Sequence, residues 1–261
     1  MRILVLGALE VHGRDACTVP LTSQQGLLIS AMTVHVGEAL TSDRLVEAVW
    51  ERSAPRDPDH ALHTLVSRLR KQLALAGDGE PCVVRRANGY VLELERSLID
   101  ALDFEDRSAA ARQKVVERPE QASTELRDAL GLWRGDAYID AAYSSFAQPE
   151  IRRLTELRLL ACHAAITAEI ALGRAEAVIP ELLALTERFP LREPLWILLL
   201  SALHATARTT EVAGTAERMR AILRAEHGVV PSPVFEALAS ELEGPPTNPL
   251  FAAQARGVAL F

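Results

Sequence analysis

Residues 57–76 divide their apolar and polar side chains between two sides of a single helix, and this division constrains the fold more than any other stretch. At about 100° per residue, one side carries only apolar residues: Leu62, Leu65, Val66, Leu69 and Leu73. The other side carries polar and basic residues: His60, His63, Thr64, Ser67, Arg70 and Lys71, with Arg68 on the flank. The pattern predicts a helix that packs with one side and leaves the other in solvent.

The polar side of this helix has the chemistry of a DNA-reading surface. No acidic residue occurs between His60 and Ala76, whereas a solvated helix face usually mixes both charge signs. Hydroxyl, imidazole and amine groups can hydrogen-bond to base edges in the major groove, and basic side chains can contact phosphates. A basic amphipathic helix with no DNA partner would show the same pattern, so the surrounding sequence has to discriminate between the two.

Charge is distributed unevenly along the chain. The 261 residues carry a net charge of −7. The overall charge of the chain therefore gives no support for nucleic-acid binding. Up to Arg96 there are 11 basic and 12 acidic residues, a net of −1; the remaining 17 basic and 23 acidic residues give −6. Between His60 and Leu92 five basic residues face two acidic ones, a net of +3. A small basic patch on an acidic chain suits a protein that touches DNA with one face.

The elements around this helix predict a winged helix-turn-helix. Apolar runs at 2–6, 8–11 and 17–21 indicate a small antiparallel sheet. Thr22 or Ser23 caps a helix that continues to about residue 36, and the segment 41–43 opens a second helix over 44–51. Asp57 or Asp59 can cap the third helix. The third of three such helices is the one that enters the major groove in this fold.

A hairpin after the third helix provides the wing. Residues 83–86 and 90–94 are strand-like, and Asn88-Gly89 between them is the strongest short hairpin signal, because a tight hairpin turn needs positive φ. Arg85, Arg86 and Asn88 on this wing would meet phosphate or the minor groove. A plain structural hairpin with solvated arginines is the alternative.

From Leu102 the pattern is helical only. Helices are predicted at 104–116, 120–133, 149–172, 175–188, 193–207, 211–227 and 234–242. Short turns between helix pairs indicate a tetratricopeptide-like array without a clean period. The predicted fold class is therefore mainly α: an α+β winged helix-turn-helix domain over 1–97, an all-α tetratricopeptide-like domain over 98–243, and a poorly ordered tail over 244–261.

The sequence lacks the signatures of common catalytic sites. It contains no GxxxxGK[ST], HExxH, GxSxG or GxGxxG motif. Cys17, Cys82 and Cys162 lie far apart, which argues against a zinc site and for a reducing compartment. No apolar run reaches the length of a membrane span. We therefore expect a cytoplasmic protein, associated with the nucleoid, that is not an enzyme and binds no metal or cofactor.

Several segments, taken in order, resemble the Streptomyces antibiotic regulatory protein (SARP) family. They are MRILVLGALEV, TSDRLVEAVW, ALHTLVSRLRKQLA, RANGYVLEL, ALGLWRGDAY, RLTELRLLACHAAITAEIALGR, FPLREPLWILLLSAL and HGVVPSP. The resemblance covers roughly residues 1–243, and VSRLRK upstream of the GY-containing wing is its strongest part. It implies an OmpR-type winged helix followed by a bacterial transcriptional activator domain. The chain looks like a small member of the family, without the ATPase, phosphopeptide-binding or receiver domains of larger regulators.

The resemblance also implies function and partners. Family members look like activators of secondary-metabolite gene clusters that bind direct repeats near the promoter −35 element and recruit RNA polymerase holoenzyme. Carried to this sequence, the loop 52–59 would face the polymerase through Arg52, Arg56 and Asp57. Gln24 and Gln25 stand where relatives often have basic, phosphate-contacting residues, so we expect weaker DNA affinity and a shallower salt dependence.

In this interpretation the third helix reads bases and the flanking arginines hold the DNA backbone. The base-reading set is His60, His63, Thr64, Ser67 and Lys71, and the anchoring set is Arg68, Arg70, Arg85 and Arg86. So few cations predict weak binding by one copy, hence a homodimer on adjacent repeats. A helical-repeat adaptor or ligand sensor, binding partners through Tyr138, Tyr143 and Phe146, is the alternative, and a repressor with the same fold is a third possibility.

Overall fold

The structure, a computed structural model, describes residues 1–13, 17–51, 53–76, 82–87 and 89–242. The first elements are β1 (Arg2–Leu4), β2 (Glu10–His12), α1 (Ser23–Val34), β3 (Leu40–Thr41), α2 (Ser42–Trp50), α3 (Pro58–Ala76), β4 (Val83–Arg86) and β5 (Gly89–Leu92). The helices that follow are α4 (Asp100–Arg112), α5 (Pro119–Leu130), α6 (Ala147–Ala171), α7 (Ala175–Arg188), α8 (Glu193–Ala205), α9 (Thr209–His227) and α10 (Pro233–Leu242). The predicted class, mainly α with an α+β winged N-terminal part, is confirmed; the predicted tail lies outside the described residues.

The chain packs as two compact units. The first contains Met1–Ala109 together with Asp128–Leu159, and the second contains Ala110–Arg127 together with the chain from Leu160 onward. Most of α4 therefore packs in the same unit as the strands and helices that precede it. Each unit has its own buried apolar residues.

Two small sheets frame the first unit. β1 pairs antiparallel with β2, with Ile3 opposite Val11, and both side chains are fully buried. The predicted third strand over 17–21 is wrong: a single bridge joins Thr18 to His12, and Val19 donates to the Val11 carbonyl. Pro20 has no N–H group to continue the ladder, which explains why the pairing stops.

The helices α1 and α2 begin where the sequence predicts. Thr22 caps α1 in a capping box: its hydroxyl accepts from Gln25 N, while Gln25 Oε1 accepts from Thr22 N at 2.9 Å. Thr41 caps α2 by accepting from Arg44 N. α1 packs on α2 and α3, and α2 packs on α3, which forms the three-helix part of the fold.

The wing belongs to the second sheet, whose strand order is β3-β5-β4. Arg86 pairs with Gly89, so Gly89 lies in β5 and not in the turn as predicted. A Cβ atom at Gly89 would lie 1.8 Å from the Leu40 carbonyl oxygen, so the pairing of β5 with β3 requires glycine.

Residues beyond the winged helix complete the N-terminal sheet. Ile3 forms a parallel bridge with Ile99, and the buried Asp100 carboxylate accepts from Val5 N at 2.7 Å and from Leu6 N at 3.1 Å. On the return of the chain, Arg134 N donates to the Leu6 carbonyl and Tyr138 N to the Val5 carbonyl. The helix predicted over 120–133 ends at Leu130, and Arg134 N, which would otherwise continue the helical bonds, donates to Leu6 instead.

Helix pairs build the second unit. α7 packs on α8, α8 on α9, and α10 on both α8 and α9, as expected for a tetratricopeptide-like arrangement. Their shared core includes Trp196 and Phe235, both almost fully buried. Gly228 ends α9 as a C-cap glycine with a left-handed φ of 63°. Among the described residues, no helix is both long and apolar enough to cross a membrane.

Candidate nucleic-acid interface

α3 has one buried side and one exposed side, as its sequence predicts. The five apolar residues of the predicted packing side are all buried: Leu62, Leu65, Val66, Leu69 and Leu73. The opposite side leaves His60, His63, Ser67, Arg68 and Lys71 exposed, with Thr64 half-buried. These side chains occupy successive turns of one rigid helix, so the structure brings most of the predicted reading set onto one surface.

The N-terminus of α3 is fixed by a side-chain cap. Asp57 Oδ1 accepts from His60 N at 3.1 Å, which confirms one of the two predicted caps. Its negative charge also favours the positive end of the helix dipole. Asp57 and Arg56 are both exposed in the loop before α3, while Arg52 lies outside the described residues.

Arg70 is held by the hairpin. Its Nε donates to the Val83 carbonyl at 2.7 Å, and its guanidinium lies 5.6 Å from the centre of the Tyr90 ring. The side chain is half-buried, unlike its neighbours Arg68 and Lys71. Arg70 therefore connects α3 to the wing, and its guanidinium is engaged there, whereas the other predicted phosphate anchors remain exposed.

The wing carries two exposed arginines with different surroundings. Arg85 lies with its guanidinium 5.9 Å from the Tyr90 ring centre, and Arg86 forms an ion pair with Glu93. Both partners of that pair are about half exposed, so it contributes little to stability, yet it offsets the charge of Arg86. Asn88, predicted at the tip of the wing, lies outside the described residues.

The glutamines at the start of α1 have different environments. Gln24 is exposed, whereas Gln25 is only 3% exposed and its side-chain oxygen belongs to the capping box. Gln25 therefore serves the helix cap, and its buried side chain is not presented to solvent as the predicted DNA contact requires. The T-x-x-Q spacing of Thr22 and Gln25 was the sequence signal for this role.

Sequence reasoning missed one contact behind the reading surface. Gln72 Nε2 donates to the Pro20 carbonyl at 2.9 Å, which joins α3 to the segment before α1.

The aromatic residues predicted for an adaptor surface do not share one environment. Tyr138 is buried and its hydroxyl bonds to Thr33, Phe146 is half-buried, and Tyr143 is fully exposed.

Removing the side chain of Arg70 should loosen the hairpin. We expect Arg70→Ala to raise amide hydrogen exchange at Tyr90 and Val91 by about tenfold, because a charge-assisted bond to a carbonyl and a ring contact are lost together. Lys71→Ala is the matched control, since Lys71 is exposed on the same helix turn. Unchanged exchange in the hairpin of Arg70→Ala would show that the wing is held without Arg70.

Two protein families match the sequence. Residues 16–92 match "Transcriptional regulatory protein, C terminal", and residues 99–243 match "Bacterial transcriptional activator domain". The first match spans α1 to β5, which includes α3 and the wing. The second spans α4 to α10 and covers more than half of the chain.

Individual relatives are similar over almost all of this chain. The transcriptional regulatory protein EmbR of Mycobacterium tuberculosis is 35% identical over 237 residues, which are 90% of this chain and 61% of EmbR. The regulatory protein DnrI of Streptomyces peucetius is 30% identical over 240 residues, 89% of this chain and 88% of DnrI. A solved structure of M. tuberculosis EmbR in complex with a low-affinity phosphopeptide matches with a TM-score of 0.90 at 31% identity, covering 98% of this chain and 68% of that chain.

Proposed function

This chain belongs to the SARP family of transcriptional regulators, and on that premise we propose that it is a sequence-specific DNA-binding activator of a secondary-metabolite gene cluster. It binds direct repeats near the −35 element and recruits RNA polymerase. The observation that carries the DNA-reading part is the exposed side of α3, where hydroxyl, imidazole and basic groups face solvent opposite a fully packed apolar side.

The exposed groups divide by chemistry into two roles. His60, His63, Thr64 and Ser67 supply the short donors and acceptors that suit base edges. Arg68 and Lys71 extend from the same surface with positive charge that suits phosphates, and Arg85 adds a further cation on the wing. Arg70 sets the position of the wing relative to α3 through its bond to the Val83 carbonyl.

The number of available cations favours two copies on DNA. Arg86 is paired with Glu93 and Arg70 is bonded to the hairpin, which leaves few basic groups for phosphates. Because each neutralised phosphate adds to affinity through counterion release, one copy binds weakly at physiological salt. Two copies on adjacent direct repeats, placed head to tail as a dimer, would supply the missing contacts.

The loop before α3 is the proposed polymerase contact. Arg56 and Asp57 are exposed there, beside the end of α3 that approaches DNA. Asp57 caps α3 through one carboxylate oxygen, Oδ1, and its side chain is exposed to solvent. A loss of transcription by Arg56→Ala with unchanged DNA affinity would support this assignment, and equal loss of both would contradict it.

Lys71→Ala and Thr64→Ala separate the two roles of α3. We expect Lys71→Ala to weaken binding to all sequences and to lower the slope of log affinity against log salt by about one. We expect Thr64→Ala to relax base preference at one position while the salt slope stays unchanged. Fluorescence anisotropy on promoter DNA with a base-substitution scan, at several salt concentrations, measures both.

The control is Lys114→Ala, because Lys114 pairs with Glu125 within the second unit, whereas α3 belongs to the first. A Thr64→Ala protein with unchanged base preference would refute the reading role of Thr64. Absence of selective binding at low salt, with tight binding to a protein or metabolite instead, would favour the adaptor function. Reduced transcription from a bound promoter would identify a repressor.

A further inference from the structure

A cavity lies within the first unit, against β2 and the start of α1. It has a volume of about 470 Å³ and is lined by β2 and the residues before it, the segment 18–21, the first turns of α1, and Asp140. Cavities of about 300–1,000 Å³ hold small organic molecules. The DNA-binding role described above makes no use of this space.

The lining combines apolar walls with a few polar groups. Val11 forms a fully buried part of the wall, while Leu9 and Leu27 are half-buried and keep apolar surface in contact with water. Ser30, only 2% exposed, and Thr18 contribute hydroxyl groups. Covering the apolar side chains would remove their surface from water, and the hydroxyls could orient whatever covers them.

The charge of the lining selects the kind of molecule. Asp140 is its acidic residue, and no basic side chain is among the described residues that line the cavity. One carboxylate oxygen of Asp140 accepts from Leu9 N at 2.6 Å, which holds the carboxylate in place at the wall. The site therefore favours a cation or a hydrogen-bond donor over an anion.

The cavity wall is joined directly to the reading helix. Pro20 lines the cavity, and its carbonyl accepts the bond from Gln72 Nε2 on α3. Two residues further on, Thr22 also lines the cavity and caps α1, which packs on α3. The bond from Gln72 is the direct link between the cavity wall and α3, so a molecule that displaced Pro20 would act on α3 through it.

We propose that this cavity is a binding site for a small amphipathic cation, and that its occupancy acts on α3 through Pro20 and Gln72. The binding part is independent of the proposed function, because it is measured without DNA. The regulatory part rests on the proposed function, because α3 is the DNA reader only there. The occupant has an aromatic or aliphatic body that covers Leu9 and Leu27 and an amine that faces Asp140.

The test uses a pair of probes that share one body and differ in charge. The full chain, labelled with ¹⁵N, is titrated with 2-(1-naphthyl)ethylamine and, separately, with 1-naphthaleneacetate. We expect the amine to saturate with a Kd of about 1 mM, as is usual for a ligand of this size. The largest amide shifts should occur at Leu9, Gly26 and Ser30, and the carboxylate should bind at least about fivefold more weakly.

Two variants test the location and the charge. Asp140→Asn keeps an oxygen for Leu9 N but removes the charge, so it should abolish the preference for the amine; Asp43→Asn, at an exposed position on α2, should keep it. Gly26→Leu should fill the cavity, because a Cβ at Gly26 points toward Leu9 Cδ2 at 3.2 Å, and the flexible end of Leu9 can yield. Amine binding should then be lost while the thermal unfolding temperature is maintained.

Gln72→Ala tests the connection to α3. In the unchanged protein the amine should also shift the amides of Leu69 and Leu73, and Gln72→Ala should remove those shifts while the Kd stays within about twofold. Absence of saturable shifts at Leu9, Gly26 and Ser30 up to about ten times that Kd would overturn the site. Equal binding of both probes would overturn the ligand class, and α3 shifts that persist in Gln72→Ala would overturn the route.

Discussion

Replacing Gly89 with alanine is expected to detach the wing and to lower the free energy of unfolding by about 3 kcal/mol. The added Cβ would lie 1.8 Å from the Leu40 carbonyl oxygen, 2.7 Å from the Leu40 carbonyl carbon and 2.9 Å from Thr41 Cα. All three are backbone atoms, so no side-chain rotation can relieve the overlap. The pairing of β5 with β3 must open, and the thermal midpoint should fall by about 10 °C.

The matched control for this change is Gly214→Ala. Gly214 lies in α9 with nothing within 4 Å of a built Cβ. Alanine there should be neutral or stabilise by up to about 1 kcal/mol, because alanine favours the helix. Thermal and urea unfolding measure both variants, and anisotropy on promoter DNA shows whether the wing is needed for affinity. A Gly89→Ala protein with an unchanged midpoint would mean that β3 and β5 do not pair in solution.

Replacing Asp100 with asparagine is expected to cost about 3 kcal/mol, because the buried carboxylate satisfies two backbone donors. Its two oxygens accept from Val5 N and Leu6 N, and Arg134 lies 3.6 Å away. Asparagine offers one oxygen and one amide group, so one of the two N–H groups would face another donor. The loss should appear in urea unfolding and as faster amide exchange at Val5 and Leu6.

The pH dependence of this difference has a definite sign. Burial raises the pKa of Asp100 above its ordinary value, against the lowering effect of its hydrogen bonds from Val5 and Leu6 and of Arg134. Because the pKa of Asp100 is higher in the folded state, the unfolded chain releases the Asp100 proton at a lower pH than the folded protein does. The contribution of Asp100 to the free energy of unfolding therefore falls as the pH rises from about 4 through the folded pKa. The stability difference between the unchanged protein and Asp100→Asn should therefore shrink over that window.

Asp106→Asn is the control for the Asp100 prediction. Asp106 is exposed, and its pKa is lowered by hydrogen bonds from Arg96. An exposed pair of this kind contributes at most about 1 kcal/mol, so the control should unfold nearly as the unchanged protein does. A stability difference for Asp100→Asn that grows with rising pH would contradict the raised pKa.

Periodicity alone was sufficient to predict the two sides of α3. All five leucine and valine positions assigned to the packing side are buried, because an apolar stripe at helical spacing has few other places to go. Periodicity does not distinguish Arg70 from Lys71, because both lie on the polar side of the helix. The bond from Arg70 to the Val83 carbonyl depends on where the hairpin lies, and residue spacing within one helix carries no information on that.

Local chemistry and distant contacts limited the prediction in different ways. The Thr22–Gln25 spacing indicates the capping role of Gln25, whereas the Asn-Gly pair predicts a turn position for Gly89, because Asn-Gly is common in turns. The bonds of Asp100, Arg134 and Tyr138 to residues 5 and 6 join segments about a hundred residues apart. No pattern in a single sequence identifies such partners.

Residues 99–138 complete the N-terminal sheet, and this limits how a winged helix domain could be exchanged between relatives by gene fusion. A chimera cut after the wing would retain Ile3, Val5 and Leu6 but lose Ile99, Asp100, Arg134 and Tyr138. The transplanted piece would carry unpaired buried N–H and carbonyl groups, which oppose folding. Under the proposed function, new base preferences should therefore arise more readily by point substitution on the exposed side of α3 than by recombination at the end of the hairpin.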